Sequence, residues 1–88
     1  MGYDTHSDLV VLHRYLDAIT TFIASIIKDE KAAIVLACKV FEEHKKRNEN
    51  NPFTHEGRRK QWLHLKARNL AIDHLNLKRQ QAKEAHTK

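Results

Sequence analysis

Apolar residues in the first half of the chain recur at steps of three and four: Leu9, Leu12, Leu16, Ile19, Ile23 and Ile26, with Tyr15, Ala18 and Phe22 beside them. This is the helical period; the two-residue alternation of a half-buried strand is not seen. At about 100° per residue these positions span roughly half of the helix circumference. Arg14, Asp17, Thr20, Thr21 and Ser25 lie opposite. Half a circumference needs more than one partner helix. Asp4 and Asp8 at the start and Lys28 at the end suit the helix dipole, and Asp29 and Glu30 then open a second segment. That segment carries Ala33, Leu36, Ala37, Val40 and Phe41 on one side and ends in Lys45, Lys46 and Arg47. No glycine marks the break at Asp29, so one long helix is the alternative.

Two of the chain's three Gly and Pro residues, Pro52 and Gly57, fall in Asn48–Gly57, which reads as the one clear loop. Beyond it, Asn51 before Pro52, or Thr54 before Glu56, can cap a third helix running to about Ala85. Leu63, Ala67, Leu70 and Leu77 form one stripe with Trp62 at its edge, and Leu65, Ile72 and Leu75 form another on nearly the opposite side. Two stripes predict burial from two sides, within the protomer and against a second copy. The tail from Gln80 to Lys88 lacks an apolar face and is expected to fray. The pattern predicts one all-α domain over residues 1–88, a small dimeric bundle of three main helices at about 7–28, 29–48 and 54–85.

Length restricts the function classes. A chain of 88 residues buries only about 60% of its unfolded surface, which excludes large multi-layer enzymes and favours self-association. Cys38 is the only cysteine, so no intramolecular disulfide forms, and no Cys/His spacing suits a zinc finger. A reducing, cytoplasmic location is expected. The apolar run Leu9–Ile27 is interrupted by His13, Arg14 and Asp17, which argues against a signal peptide or a membrane partner. Gly2 is followed by Tyr3, Asp4, Thr5 and then His6, at the position where N-myristoylation requires Ser or Thr.

Charge is divided unevenly. Residues 1–44 hold 4 bases and 7 acids, net −3, and residues 45–88 hold 12 bases and 4 acids, net +8. Lys45, Lys46 and Arg47 precede the loop, Arg58, Arg59 and Lys60 follow it, and Lys66, Arg68, Lys78, Arg79, Lys83 and Lys88 continue the basic half. If the two flanks meet, they form a cationic rim that attracts a phosphate backbone by releasing counterions, with Phe53, Trp62, His55 and His64 able to stack on exposed bases. The plainer reading is that these cations solubilise helix ends while Phe53 and Trp62 belong to the core.

Pro52-Phe53, then Arg59, then Gln61-Trp62-Leu63 resembles the signature of the ribosome modulation factor family, over about a dozen residues. Members of that family are small, basic and helical and bind the ribosome through its RNA. The resemblance thus implies RNA-contacting roles for Phe53, Arg59 and Trp62. Where the family continues with glycines and another aromatic, this chain has His64, Leu65 and Lys66, and the helical segments before residue 50 have no counterpart there. A Pro-aromatic lead-in to a helix whose Trp packs back on the loop is equally a folding device.

Arg68-Asn69 followed by His74 resembles the Arg-(Asn/Asp/His)…His motif of HEPN-type ribonucleases, all-helical dimers with the active site at the protomer seam. In that chemistry an Arg stabilises the phosphorane-like state while His moves a proton to or from a ribose hydroxyl. Arg68 and His74 stand about 120° apart on a helix, so they would have to converge across a dimer. His74 also fits as a core histidine between Leu70 and Leu77. His13 and Asp17, one turn apart, are too few for a metal site. Cys38 reads as a small buried hydrophobe. No Gly-rich phosphate loop, Ser-centred elbow or carboxylate pair is present.

The sequence therefore points to a non-enzymatic regulatory module without cofactor, metal or catalytic residues. It would contact RNA, DNA or a nucleoprotein such as the ribosome through Lys45, Lys46, Arg47, Phe53, Arg58, Arg59, Lys60, Trp62, Lys66 and Arg68. The alternatives are a phage- or plasmid-type inhibitor or adaptor that binds an acidic host protein, and then the HEPN-type ribonuclease.

Overall fold

The break at Asp29 is real, and two local devices make it. In the computed structural model, which describes residues 8–86, helix α1 (Asp8–Ile27) ends where Lys28 turns into the left-handed region at φ 58°. Lys28 N–H still donates to the Ala24 carbonyl at 2.8 Å, so the turn closes without a glycine. Asp29 is then extended, and its carboxylate accepts from Ala32 N–H at 3.2 Å, capping helix α2 (Glu30–Asn50). Two helices thus replace the single long one that the absence of Gly had left open.

Helix α2 ends at Asn51, whose N–H donates to the Arg47 carbonyl at 2.7 Å and whose own carbonyl accepts from Arg47 Nη1 at 2.6 Å. Asn51 leaves the helical region at φ −150° and ψ 79°, as the bulk of a following proline favours, and Pro52 has no N–H with which to continue the helix. Asn51 therefore terminates α2 and does not cap the next helix. Helix α3 (Glu56–His86) starts on the carbonyl of His55, which accepts from Arg59 N–H at 3.2 Å. It is helical through His86, one residue beyond the expected end at about Ala85. Asp4, Lys88 and the side chains of Asp8, Leu9 and Lys83 lie outside the described residues.

All three helices pack on one another as an all-α bundle, and no strand occurs among the described residues. From α1 the core takes a strict every-fourth row, Val11, Tyr15, Ile19, Ile23 and Ile27. Leu12, Leu16, Phe22 and Ile26 of the anticipated stripe are half-buried beside it. The facing rows hold small residues: Ala33, Ala37 and Val40 with Leu36 on α2, and Ala67 and Ala71 with Leu63 on α3. Alanines let the backbones approach, and the branched side chains of α1 fill the space between them. Each isoleucine fully removed from water stabilises the fold by about 1.5–3 kcal/mol.

One expectation needs correction here. Cys38 is exposed, because the inward face of α2 is occupied by Ala33, Leu36, Ala37 and Val40 and residue 38 lies off that row. On α3, Leu63, Ala67 and Leu70 of the first stripe are covered within the chain while Leu77 is exposed; of the second, Leu75 packs against the core and Leu65 and Ile72 are 57% and 37% exposed. Val10–Ile27 is long and apolar enough to cross a membrane by length and composition. In this fold its every-fourth row supplies the core.

Candidate nucleic-acid interface

Contacts fix the direction of each helix. Tyr15 of α1 meets Glu56, Phe22 meets His64 with ring centroids 5.2 Å apart, and Asp29 just beyond α1 meets Lys78 at 3.9 Å, so α1 and α3 run parallel. Helix α2 runs back between them. The start of α3 and the end of α2 therefore share one end of the bundle, and the basic triplets 45–47 and 58–60 flank it.

That end has a polar interior. Arg59 Nη1 lies 2.7 Å from His44 Nε2, and both residues are only 1% exposed. Arginine can only donate, so Nε2 accepts and His44 carries its proton on Nδ1. Arg59 Nε also reaches Glu56 Oε1 at 3.3 Å, Tyr15 Oη–H donates to Glu56 Oε2, and Arg14 Nη1 stands 3.8 Å from the same oxygen. The Tyr15 hydrogen bond, with the Arg59 and Arg14 charges, holds the Glu56 carboxyl below its usual range against the opposing effect of burial. Burial, then Glu56 itself, pushes the Tyr15 phenol up.

Arg59 was expected on an outward rim and is instead inside. Position 59 continues the row Leu63, Ala67, Ala71 at four-residue steps, so its side chain enters the α2–α3 interface whatever its charge. Phe53 is likewise engaged: it stacks on His44 at 5.7 Å with 10° between the planes, and the Arg47 guanidinium carbon lies 3.9 Å over its ring. Trp62 sets its ring at 62° to His44 and 61° to Phe53, at 6.0 and 5.9 Å. The three residues that carry the ribosome modulation factor resemblance thus gather around His44, in the manner of a loop packed onto its helix.

Beside this cluster lies an open groove of about 380 Å³ lined by Arg47, Phe53, Arg58, Gln61, Trp62 and Leu65. Residues 58, 61, 62 and 65 are one face of α3, and Arg47 and Phe53 form the facing wall. Arg68 stands on the same α3 row, two turns beyond Gln61. Lys60, about 160° round α3 from Arg58, does not reach this face, and Lys66 is half-buried off it. Lys45 and Lys46 are exposed around a shallow depression that also includes Glu42 and Glu49, which temper their charge. Among the described residues, Lys45, Lys46, Arg58, Lys60, Lys66 and Arg68 form no ion pair.

The remaining candidates are dispersed. Arg68 and Asn69 are exposed, whereas His74 is half-buried with its Nε2 enclosed and without a hydrogen-bond partner. His13 and Asp17 are exposed, and no group of three or more His, Cys, Asp or Glu able to hold a metal occurs among the described residues. Sequence reasoning missed His44, Tyr15, Glu56, Gln61 and Leu65. The signal for His44 was available: it follows Val40 by four, on the row of Ala33, Leu36 and Ala37, as Arg59 precedes Leu63 by four. The chain matches no family model, no curated protein and no solved structure.

Proposed function

We propose that this chain is a small, non-enzymatic helical module that contacts a nucleic acid or a nucleoprotein through the end of the bundle where α2 meets α3. The observation that supports this reading is the groove with two arginines and a tryptophan on its walls, next to the exposed Lys45 and Lys46. Cations without acidic partners release counterions when a phosphate backbone docks, and that term supplies most sequence-independent affinity.

Affinity for RNA and DNA measured between about 50 and 200 mM salt tests it: binding should fall steeply, and Arg58→Ala, Lys45→Ala and Lys46→Ala should each lower the salt slope by about 1. Absence of binding at the lowest salt removes the reading. A second reading, an adaptor or inhibitor on a protein partner, is favoured by Ile34 and Val35, which stand bare on α2 at 54% and 58% exposure beside Cys38. A pull-down from nuclease-treated lysate that still returns one stoichiometric protein supports this second reading, and loss of all material on nuclease treatment supports the first.

A further inference from the structure

A basic surface alone would bind any polyanion, but the groove between the end of α2 and the Arg58–Leu65 face of α3 is built more specifically. We propose that it receives one unpaired nucleobase with its adjoining phosphate, so that the ligand is single-stranded; this rests on the nucleic-acid reading above.

Size is the first argument. At about 380 Å³ the groove is at the small end of the roughly 300–1,000 Å³ range of ligand sites, enough for one nucleotide and too small to admit a duplex. The walls are the second. Trp62 is half-buried and braced by Phe53 and His44 at 5.9 and 6.0 Å, so little freedom is lost when a base stacks on the indole. The Arg47 guanidinium is held in place from two directions, by the Phe53 ring at 3.9 Å and by the Asn51 carbonyl at 2.6 Å. A guanidinium held in this way is itself a stacking plane for a base.

The polar groups complete the set. Arg58 has no ion pair among the described residues and so offers its fork to a phosphate, and the Gln61 amide presents both a donor and an acceptor to a base edge. Leu65 closes the groove with apolar surface, which a bare phosphate would not need. Bases inside an A-form helix are stacked and face a major groove too narrow for side chains, so a recessed indole meets only a base splayed from its neighbours.

Trp62 is the sole tryptophan, which makes its fluorescence a direct reporter. The full chain is titrated at low salt with a short single-stranded oligoribonucleotide, the same strand made abasic, and the corresponding duplex. Quenching by the base-bearing strand, with affinity roughly 5- to 150-fold above the abasic strand, is the expected result. Trp62→Phe should retain part of that preference. Gln61→Ala, at an exposed position, should reduce the preference while helicity by circular dichroism stays unchanged. Equal affinity for base-bearing and abasic strands, or preference for the duplex, overturns the proposal and leaves phosphate binding intact. If none of the three binds, the nucleic-acid reading itself falls.

Discussion

His44 and Arg59 meet 2.7 Å apart across the α2–α3 interface with almost no exposure to water, each at a position where a helix of this bundle would ordinarily place a hydrocarbon. A buried charge with its partners removed is costly, and a buried acceptor without a donor costs about 1–3 kcal/mol. Arg59→Met keeps the volume but strands His44 Nε2, so unfolding by urea should show a loss of about 2–3 kcal/mol. Adding His44→Phe should restore part of it, because the orphaned acceptor is then gone. A change below about 0.5 kcal/mol in the single variant contradicts the assigned geometry.

Glu56 supplies the acid side of the same network, and its sign with pH follows from the direction of its shift. Its folded-state pKa lies below the ordinary 4.5, so the stability it contributes is complete above that value and is lost as pH falls through the lower, folded value. The side chain is 40% exposed, which limits the contribution to under about 1 kcal/mol. Tyr15 is raised, so its contribution is present below 10.0 and disappears as pH rises through the folded value. Urea midpoints measured downward from neutral pH should fall less in Glu56→Gln than in the parent chain. Parallel curves would show that Glu56 gains nothing from Tyr15, Arg59 and Arg14.

Lys28 makes a left-handed turn at φ 58° that side chains other than glycine disfavour by about 1–2 kcal/mol. Its side chain is exposed, so little packing opposes replacement. Lys28→Gly should therefore stabilise the fold by about 1 kcal/mol, visible as a higher Tm at unchanged helicity. A lower Tm would mean that Lys28 makes a contribution beyond the turn.

Arg58 and Arg59 are neighbours in sequence with opposite placements, one on the groove and one in the interior. Arg58→Ala should change stability by less than about 0.5 kcal/mol and weaken oligonucleotide binding. Arg59→Met should do the reverse until the fold itself is lost. Measuring denaturation and binding on both variants separates the roles, and equal effects on stability would refute the distinction.

The apolar spacing was enough to show that the chain is helical and that Ala33, Leu36, Ala37, Val40, Leu63 and Ala67 face inward, because helix periodicity is a local property of the backbone; the break at Lys28 and Asp29 needed the structure. The charge of residues 45–60 was equally plain. What the linear pattern left out was which polar residues share a buried row. His44 and Arg59 each extend an apolar stripe by one turn, yet only the packing of α2 against α3 makes them neighbours, and only then does an apparent surface cation become interior. Cys38 went the other way, since a small residue next to Ala37 is buried or exposed according to which helix face finds a partner.

The order of hydrophobic and polar residues by itself determined the helices and where the charge accumulates, since both depend on neighbours three and four residues away. Tertiary structure alone decided that Arg47 and Phe53 stand opposite Arg58, Gln61, Trp62 and Leu65 as the walls of one groove. That arrangement depends on the antiparallel return of α2 onto α3 and on the register set by Tyr15, Glu56, Asp29 and Lys78, contacts between positions as many as 49 residues apart that no local period encodes.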